Sequence, residues 1–318
     1  MENISLKTFI AGIELQNPIY NASGCWCTLE RELDDLKNSE SGAIVSKSST
    51  VDPRSGNDLP RLAYDDFGSI NSMGIPNFGY KYYLDYDRKI SNKPYFQSII
   101  PLSEEDLITM LKTINHLCNK SKKYLIELNL SCPNIINKSI VAYDYELLKK
   151  YLDIVDNLDT NNLTIGLKLP PYHQEQDFNI VSEIIDKYDK IKFVVCINSV
   201  VNGLLVDFET ETTKINPKNG LGGIGGVYCK PTALANVHNF YKRLGHKINI
   251  IGCGGVITGL DVFEMLLVGA SAVQVGTQLM KQGIDIFNTL KKELCDIMIK
   301  KGYLEINEFM GKLKVAKN

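Results

Sequence analysis

Residues 248–277 read INIIGCGGVITGLDVFEMLLVGASAVQVGT. Ile248–Gly252 is a short apolar run, 259–268 carries apolar residues at helical spacing, and Ala272–Gly276 is a second apolar run. Runs this short and this apolar mark strands buried on both faces, the condition of a parallel sheet. The unit is therefore strand, helix, strand, and it recurs along the chain. Further runs lie at Pro18–Ser23, Ala43–Ser48, Tyr95–Ile100, Tyr124–Leu130, Thr164–Leu169 and Lys192–Asn198, which makes eight. Amphipathic stretches separate them, at 28–38, 144–158, 175–188, 230–244 and 285–301, with another opening at Ser103. There Asp106 stands three residues after the serine, the spacing of a capping box. Leu107, Leu111, Ile114 and Cys118 follow as one apolar stripe. In the last stretch Phe287, Leu290, Leu294 and Met298 share a face and Gly302 is a stop signal. Eight strand–helix repeats predict the α/β class and a (β/α)8 TIM barrel.

Two segments exceed a normal connection, 50–94 and 200–229, and long insertions in a barrel are commonly lids or interface arms. Ile4–Gln16 reads as a small N-terminal hairpin around Gly12, ahead of the barrel. Gly222–Gly226 reads as a flexible loop leading into the helix near Lys230. Its glycine spacing lacks the preceding strand and the acidic partner of a dinucleotide site. The chain, 318 residues long, is expected to form one barrel domain over 1–318 with these insertions over the C-terminal face.

The charge balance, 35 basic against 37 acidic residues, offers no basic stripe for nucleic acid. The longest nearly apolar run, Met265–Gly276, is too short for a bilayer, which needs roughly 20 residues. The first residues lack a basic segment followed by an apolar one, so no secretory signal is expected. Eight cysteines without a Cys-x-x-Cys, and four histidines without a paired spacing, point to reduced thiols in a cytoplasmic protein and to no metal site.

Barrel active sites form at the C-terminal strand ends. The polar residues there are Asn21, Ser23, Lys47, Ser48, Asn129, Ser131, Cys132, Asn134, Lys168, Asn198 and Ser199. Gly252–Gly255 and Gly276-Thr277 follow strands seven and eight, where backbone amides approach a phosphate closely. Lys47 and Lys168 end apolar strands, and such lysines are costly unless they meet an anion. Together with the glycines they point to a negatively charged cofactor. Cys132 lies past a strand end between Asn129 and Asn134, where a thiol serves as nucleophile or as proton-transfer base. The spacing does not choose between the two.

Asn129-Leu-Ser-Cys-Pro-Asn134 resembles the catalytic loop of the class 1 dihydroorotate dehydrogenases. Ser46–Thr50, Gly68–Asn77, Gly166–Tyr172, Gly222–Gly226, Lys230–Asn236 and Gly252–Gly255 extend the resemblance over nearly the whole chain. Cys132 in place of the serine of the membrane-bound class 2, and the similarity around 51–61 and 137–145, make it similar to class 1A, the homodimeric, fumarate-using type. The resemblance implies FMN, held by Ala22, Ser23, Lys47, Ser48, Asn129, Lys168, Ile197, Gly226, Gly254, Gly255, Gly276 and Thr277. It implies that Lys47, Asn71, Met73, Gly74, Ile75, Asn129, Asn134, Asn198 and Ser199 hold dihydroorotate or orotate, and that fumarate and succinate share that site. Cys132 is then the base, with hydride leaving for the flavin and Lys168 beside it. Arg54 and Arg61 match family arginines and are candidates for steering dicarboxylates. Two departures stand out: Ile135-Ile136-Asn137-Lys138 lacks the family's Pro and Gly, and Ile215-Asn216-Pro217-Lys218 has lost one lysine. A different chemistry on the same barrel, a phosphosugar aldolase or isomerase with Lys168 as Schiff-base amine, is the alternative to weigh. A binding protein that kept the fold without catalysis is another.

Overall fold

The computed structural model describes residues 4–90, 93–119, 123–131 and 140–316. Strands β1 (Thr8–Ile10) and β2 (Ile13–Leu15) form the expected antiparallel hairpin, turning at Ala11 and Gly12. The chain then runs β3 (Ile19–Asn21), α1 (Glu30–Asn38) and β4 (Ile44–Val45). The first insertion supplies β5 (Leu62–Tyr64), β6 (Gly68–Asn71) and α2 (Tyr80–Asp87). The alternation resumes with β7 (Tyr95–Ile99), α3 (Glu104–Leu117), β8 (Tyr124–Asn129), α4 (Tyr145–Asn157), β9 (Leu163–Leu169), α5 (Glu175–Asp186) and β10 (Ile191–Cys196). The second insertion contributes β11 (Val200–Gly203), β12 (Val206–Asp207), β13 (Thr212–Thr213) and β14 (Gly222–Gly226). The chain ends with α6 (Lys230–Leu244), β15 (Asn249–Cys253), α7 (Gly259–Leu267), β16 (Ala272–Val275), α8 (Thr277–Gln282) and α9 (Ile286–Lys301).

All eight predicted barrel strands are present, hydrogen-bonded in the parallel order β3-β16-β15-β10-β9-β8-β7-β4. This is the predicted (β/α)8 barrel, nearly closed. The remaining seam, between β3 and β4, is spanned by a side chain. The Asn21 amide donates to Val45 O (2.8 Å) and accepts from Val45 N (2.9 Å), so one residue stands in for a ladder rung.

Burial follows the pattern read from the sequence. The stripe Leu107, Leu111, Ile114 and Cys118 is buried, as are Phe287, Leu290, Leu294 and Met298. Each fully buried large apolar side chain is worth about 1.5–3 kcal/mol. Ser103 caps α3 by accepting from Asp106 N (3.1 Å), and Gly302 ends α9 with φ +75°. Inside the barrel, Tyr20 stacks on Phe96 (5.4 Å between centroids) and Phe96 meets Phe193 edge-on (5.6 Å). Ile10 and Leu15 of the hairpin join this interior cluster and plug the end of the barrel opposite the site.

The two insertions meet. β11, β14, β6 and β5 form an antiparallel four-stranded sheet, with Gly223 opposite Asn71 and Gly225 opposite Ser69. Gly222–Gly226 is therefore a strand, not the flexible loop expected from its composition. Its glycines serve close approach. A Cβ on Gly223 would lie 2.2 Å from Ser199 Oγ, and one on Gly225 2.8 Å from Thr277 Oγ1.

Candidate active site

The C-terminal strand ends and the four-stranded roof enclose a cavity of about 310 Å³. That falls in the range of small-molecule sites, about 300–1,000 Å³. From the first two strands come Ala22, Ser23, Lys47 and Ser48; from the middle of the barrel Asn129, Lys168, Ile197, Asn198 and Ser199; from the glycine turns Gly226, Gly254, Gly255, Gly276 and Thr277. The roof adds Asn71, Met73 and Ile75. One predicted residue falls elsewhere. Gly74 does not line the cavity; a Cβ there would strike Asn57, and its φ of +70° serves the turn. Cys132 and Asn134 lie outside the described residues, as do Ile135–Lys138.

The polar side chains are joined in strings. Asn198 Nδ2 donates to Ser131 Oγ (2.9 Å), Ser131 Oγ to Asn129 Oδ1 (3.0 Å), and Asn129 Nδ2 to Ser48 Oγ (3.0 Å). Ser48 Oγ also meets Ser23 Oγ (3.0 Å) and Ser98 Oγ (2.9 Å). Each asparagine is thus held in one orientation, which prepares a rigid hydrogen-bonding wall for a planar ligand. Asn71 Nδ2 donates to Gly223 O (3.2 Å), tying it to the roof.

Lys47 and Lys168 are both buried. Among the described residues Lys47 has no ion-pair partner within the cavity, an arrangement that suits an anionic ligand. Lys168 Nζ donates to Gln274 Oε1 (2.8 Å). Burial pulls the Lys168 pKa down, but the Cys253 thiol and the Glu127 carboxylate outweigh it and hold the amine above the ordinary lysine value. Lys168 is therefore an ammonium at neutral pH. Two of the described thiols in the wall behave oppositely to a base. Burial pushes Cys25 up to about 11 and Cys229 up to about 11, leaving both protonated.

The glycine turns close the far end. Gly254 and Gly255 have φ +132° and +75°, and a Cβ on Gly255 would lie 2.4 Å from Lys230 Cβ at the start of α6. Only glycine lets this backbone lie so near the helix, and both glycines line the cavity.

Several wall residues escaped the sequence reading. Gly24, Cys25 and Trp26 follow Ser23 directly and line the cavity, so the strand-end rule stopped three residues short. Gln274 was visible as the one polar residue within the run Ala272–Gly276. Tyr64, Phe67 and Met280 form an apolar side that no motif announced. The tip of the β5–β6 turn is fastened down, with Tyr228 Oη donating to Asp65 Oδ2 (2.7 Å) and Lys281 Nζ to Asp65 O (2.6 Å). Arg54 and Arg61 brace the roof segment rather than facing a ligand. Arg61 donates to Ser55 O (2.6 Å) and Asn57 O (2.9 Å), and Arg54 to Gly74 O (3.4 Å).

Among the described residues no group of His, Cys, Asp or Glu side chains is arranged to hold a metal ion, and no helix is long and apolar enough to cross a membrane.

Comparison with known proteins gives a consistent answer. The family profile described as dihydroorotate dehydrogenase matches residues 5–298. A Lactococcus lactis protein named dihydroorotate dehydrogenase A (fumarate) is 48% identical over 314 residues, covering 97% of this chain and 99% of its own. A Streptococcus pneumoniae protein named probable dihydroorotate dehydrogenase A (fumarate) is 48% identical over 98% of this chain and 99% of its own. The Lachancea kluyveri dihydroorotate dehydrogenase (fumarate) is 47% identical over 94% and 95%. A crystal structure of ligand-free DHODH from Eimeria tenella matches with a TM-score of 0.77 at 19% identity, over 96% of this chain and 91% of that one. The same protein in complex with ferulenol gives 0.74 at 18%, over 96% and 88%. At such identity the structural likeness bears on fold alone.

Proposed function

Because this chain belongs to the dihydroorotate dehydrogenase family, we propose that it oxidises dihydroorotate to orotate in pyrimidine synthesis and passes the electrons to fumarate. Dihydroorotate loses two hydrogens in the overall reaction, and fumarate gains two to become succinate. The observation that carries the reading is the convergence, in one cavity, of two buried lysines, a glycine turn fitted against α6 and a wall of fixed asparagines.

These residues fit FMN. The backbone amides of Gly254, Gly255, Gly276 and Thr277 would take its phosphate, Ala22, Ser23, Ser48, Ile197 and Gly226 would flank it, and Lys168 would sit against its ring system. Bound there, FMN supplies a two-electron acceptor that the side chains of this protein lack. Lys168, as an ammonium, offers positive charge where negative charge develops on reduction. Asn71, Asn129, Asn134, Asn198 and Ser199 would hold the pyrimidine flat, and Lys47 would meet its carboxylate. Met73 and Ile75 would cover it from the roof, with Gly74 acting only through the turn. Cys132 would remove the C5 proton. Fumarate, also a small planar carboxylate, would use the same contacts after orotate leaves.

The aldolase alternative needs Lys168 as a free amine, which requires a lowered pKa. Its protonated state and its bond to Gln274 disfavour that role. We assign the whole chain, 1–318, to one FMN-binding barrel domain in a cytoplasmic homodimer. The seven described cysteines, all free thiols, suit a reducing compartment.

The test is anaerobic. The purified protein should be yellow and should bleach on adding dihydroorotate. Stopped-flow reoxidation with fumarate, NAD and a quinone in parallel should be fastest with fumarate. A colourless protein, or one that never bleaches, defeats the reading.

A further inference from the structure

At the cavity floor Lys168 is held by two buried side chains from other strands, Gln274 and Glu127, to which the proposed reaction gives no role. Lys168 on β9 donates from Nζ to Gln274 Oε1 on β16 at 2.8 Å. Gln274 Nε2 donates to Glu127 Oε2 on β8 at 2.6 Å. Glu127 and Gln274 are completely buried. The amide of Gln274 can serve both neighbours in only one orientation, oxygen towards the ammonium and nitrogen towards the carboxylate. The other Glu127 oxygen accepts from Ser98 Oγ (3.4 Å), whose hydroxyl meets Ser48 (2.9 Å) in the cavity wall.

A carboxylate in the interior of a barrel is expensive unless its charge is answered. Among the described residues no cation touches Glu127; the charge is answered at one remove, through Gln274. Were Gln274 needed only as a polar filler, a neutral partner in place of Glu127 would satisfy it at lower cost. A negative charge does what a neutral group cannot. It fixes the direction of the amide dipole and thereby presents the amide oxygen to Lys168. The thiols Cys253, Cys196 and Cys25 also face Lys168, and the Tyr20 hydroxyl faces Glu127 and accepts from Gln274 Nε2 (3.4 Å).

We propose that Glu127 and Gln274 are positioning residues that keep Lys168 charged and aimed at the cavity, and so set how readily the bound flavin is reduced. This rests on the flavin reading above. Glu127 lies behind the cavity wall and Gln274 within it, and both act through Lys168.

The experiment is a spectroelectrochemical titration of the holoenzyme and its Glu127→Gln variant, which preserves side-chain volume. The sign decides. Removing a negative charge near an undisturbed Lys168 would make the flavin easier to reduce and raise its midpoint potential. Loss of positioning makes it harder, and the expected result is a fall equivalent to a tenfold or larger loss of reduced-state stabilisation, about 30 mV for a two-electron couple. The double variant Glu127→Gln with Gln274→Glu moves the carboxylate directly onto Lys168 Nζ, and should restore the potential. A rise or no change in the single variant, or no recovery in the double, overturns the proposal. If the single variant does not fold, Gln274→Met read in the same way decides it, again by a fall against no fall. A wild-type chain that takes up no flavin would overturn the functional reading itself. Wild-type flavin with an unmoved potential in the variants overturns this inference alone.

Discussion

Among single residues, the distribution of thiol acidity is the informative feature. Burial holds Cys25 and Cys229 protonated well above neutral pH, and pushes Cys27 up to about 12, so none of these three supplies a base. The proton-transfer role is proposed for Cys132, whose sequence setting between Asn129 and Asn134 first singled it out. Cys132→Ser should retain flavin yet slow its reduction by dihydroorotate by at least about a hundredfold at neutral pH, the scale of a lost general base. Rate should recover as pH rises, because a serine hydroxyl ionises less readily than a thiol. Stopped-flow reduction across pH is the measurement, and an unaltered rate at pH 7 would remove Cys132 from the role. Glu127 and Gln274 show where residue-level reading stops. Each is one polar letter in an apolar run, legible as strand, and nothing in the spacing says that β8, β9 and β16 bring the two together beside Lys168.

At the level of elements, α7 illustrates how the site is held. The carboxylate of Asp261 accepts from Ile257 N (2.9 Å), Thr258 N (2.7 Å) and Thr258 Oγ1 (2.9 Å), and it pairs with Lys230 at the head of α6. This ties the helix after the Gly254-Gly255 turn to the helix on which that turn rests. Burial works against the ionised carboxylate, but Lys230 and these donors prevail and hold its pKa below the usual value. A depressed carboxylate contributes stability above its unfolded pKa of about 3.9, and loses that contribution as pH falls through the folded value. Asp261→Asn should therefore cost about 2 kcal/mol at pH 7. The difference from wild type should shrink below about pH 4, read by urea unfolding; a difference independent of pH would deny the ionic share. The eight barrel strands and their helices were readable because each buried run is local. α2 was not read, although Tyr80, Tyr83, Leu84 and Asp87 are its buried face at helical spacing, because no capping side chain precedes it and its segment looked like one long connection. β14 was missed for a different reason: five residues with four glycines carry no strand preference of their own. Their conformation is set by β6 and β11 on either side, which are far away in sequence.

For the whole molecule, the β12–β13 arm of the second insertion is one place where apolar surface remains. Val206 and Phe208 are 61% and 85% exposed on the β12–β13 arm. For the homodimer proposed above, this arm is the surface to test first. Phe208→Asp should shift the protein from dimer to monomer in sedimentation while leaving the far-ultraviolet circular dichroism unchanged. A variant still dimeric at micromolar concentration would place the interface elsewhere.

β3 lies at the start of the barrel sheet, and its ladder partner is β16, with Ile19 opposite Val273. Its other neighbour, β4, is reached through the Asn21 amide, the Gly42 N to Ile19 O bond (2.8 Å) and the Ser23 Oγ to Ser46 O bond (2.8 Å), with no strand ladder between them. During synthesis, at roughly 5–20 residues per second, that strand waits on the order of ten to fifty seconds before its mate leaves the ribosome. Until then its edge is an open template for pairing with other chains. The hairpin that precedes it is no independent shield, because a lone two-stranded hairpin is marginal in water and this one is fastened to Asn249 and Ser271, which are made in the same late stretch.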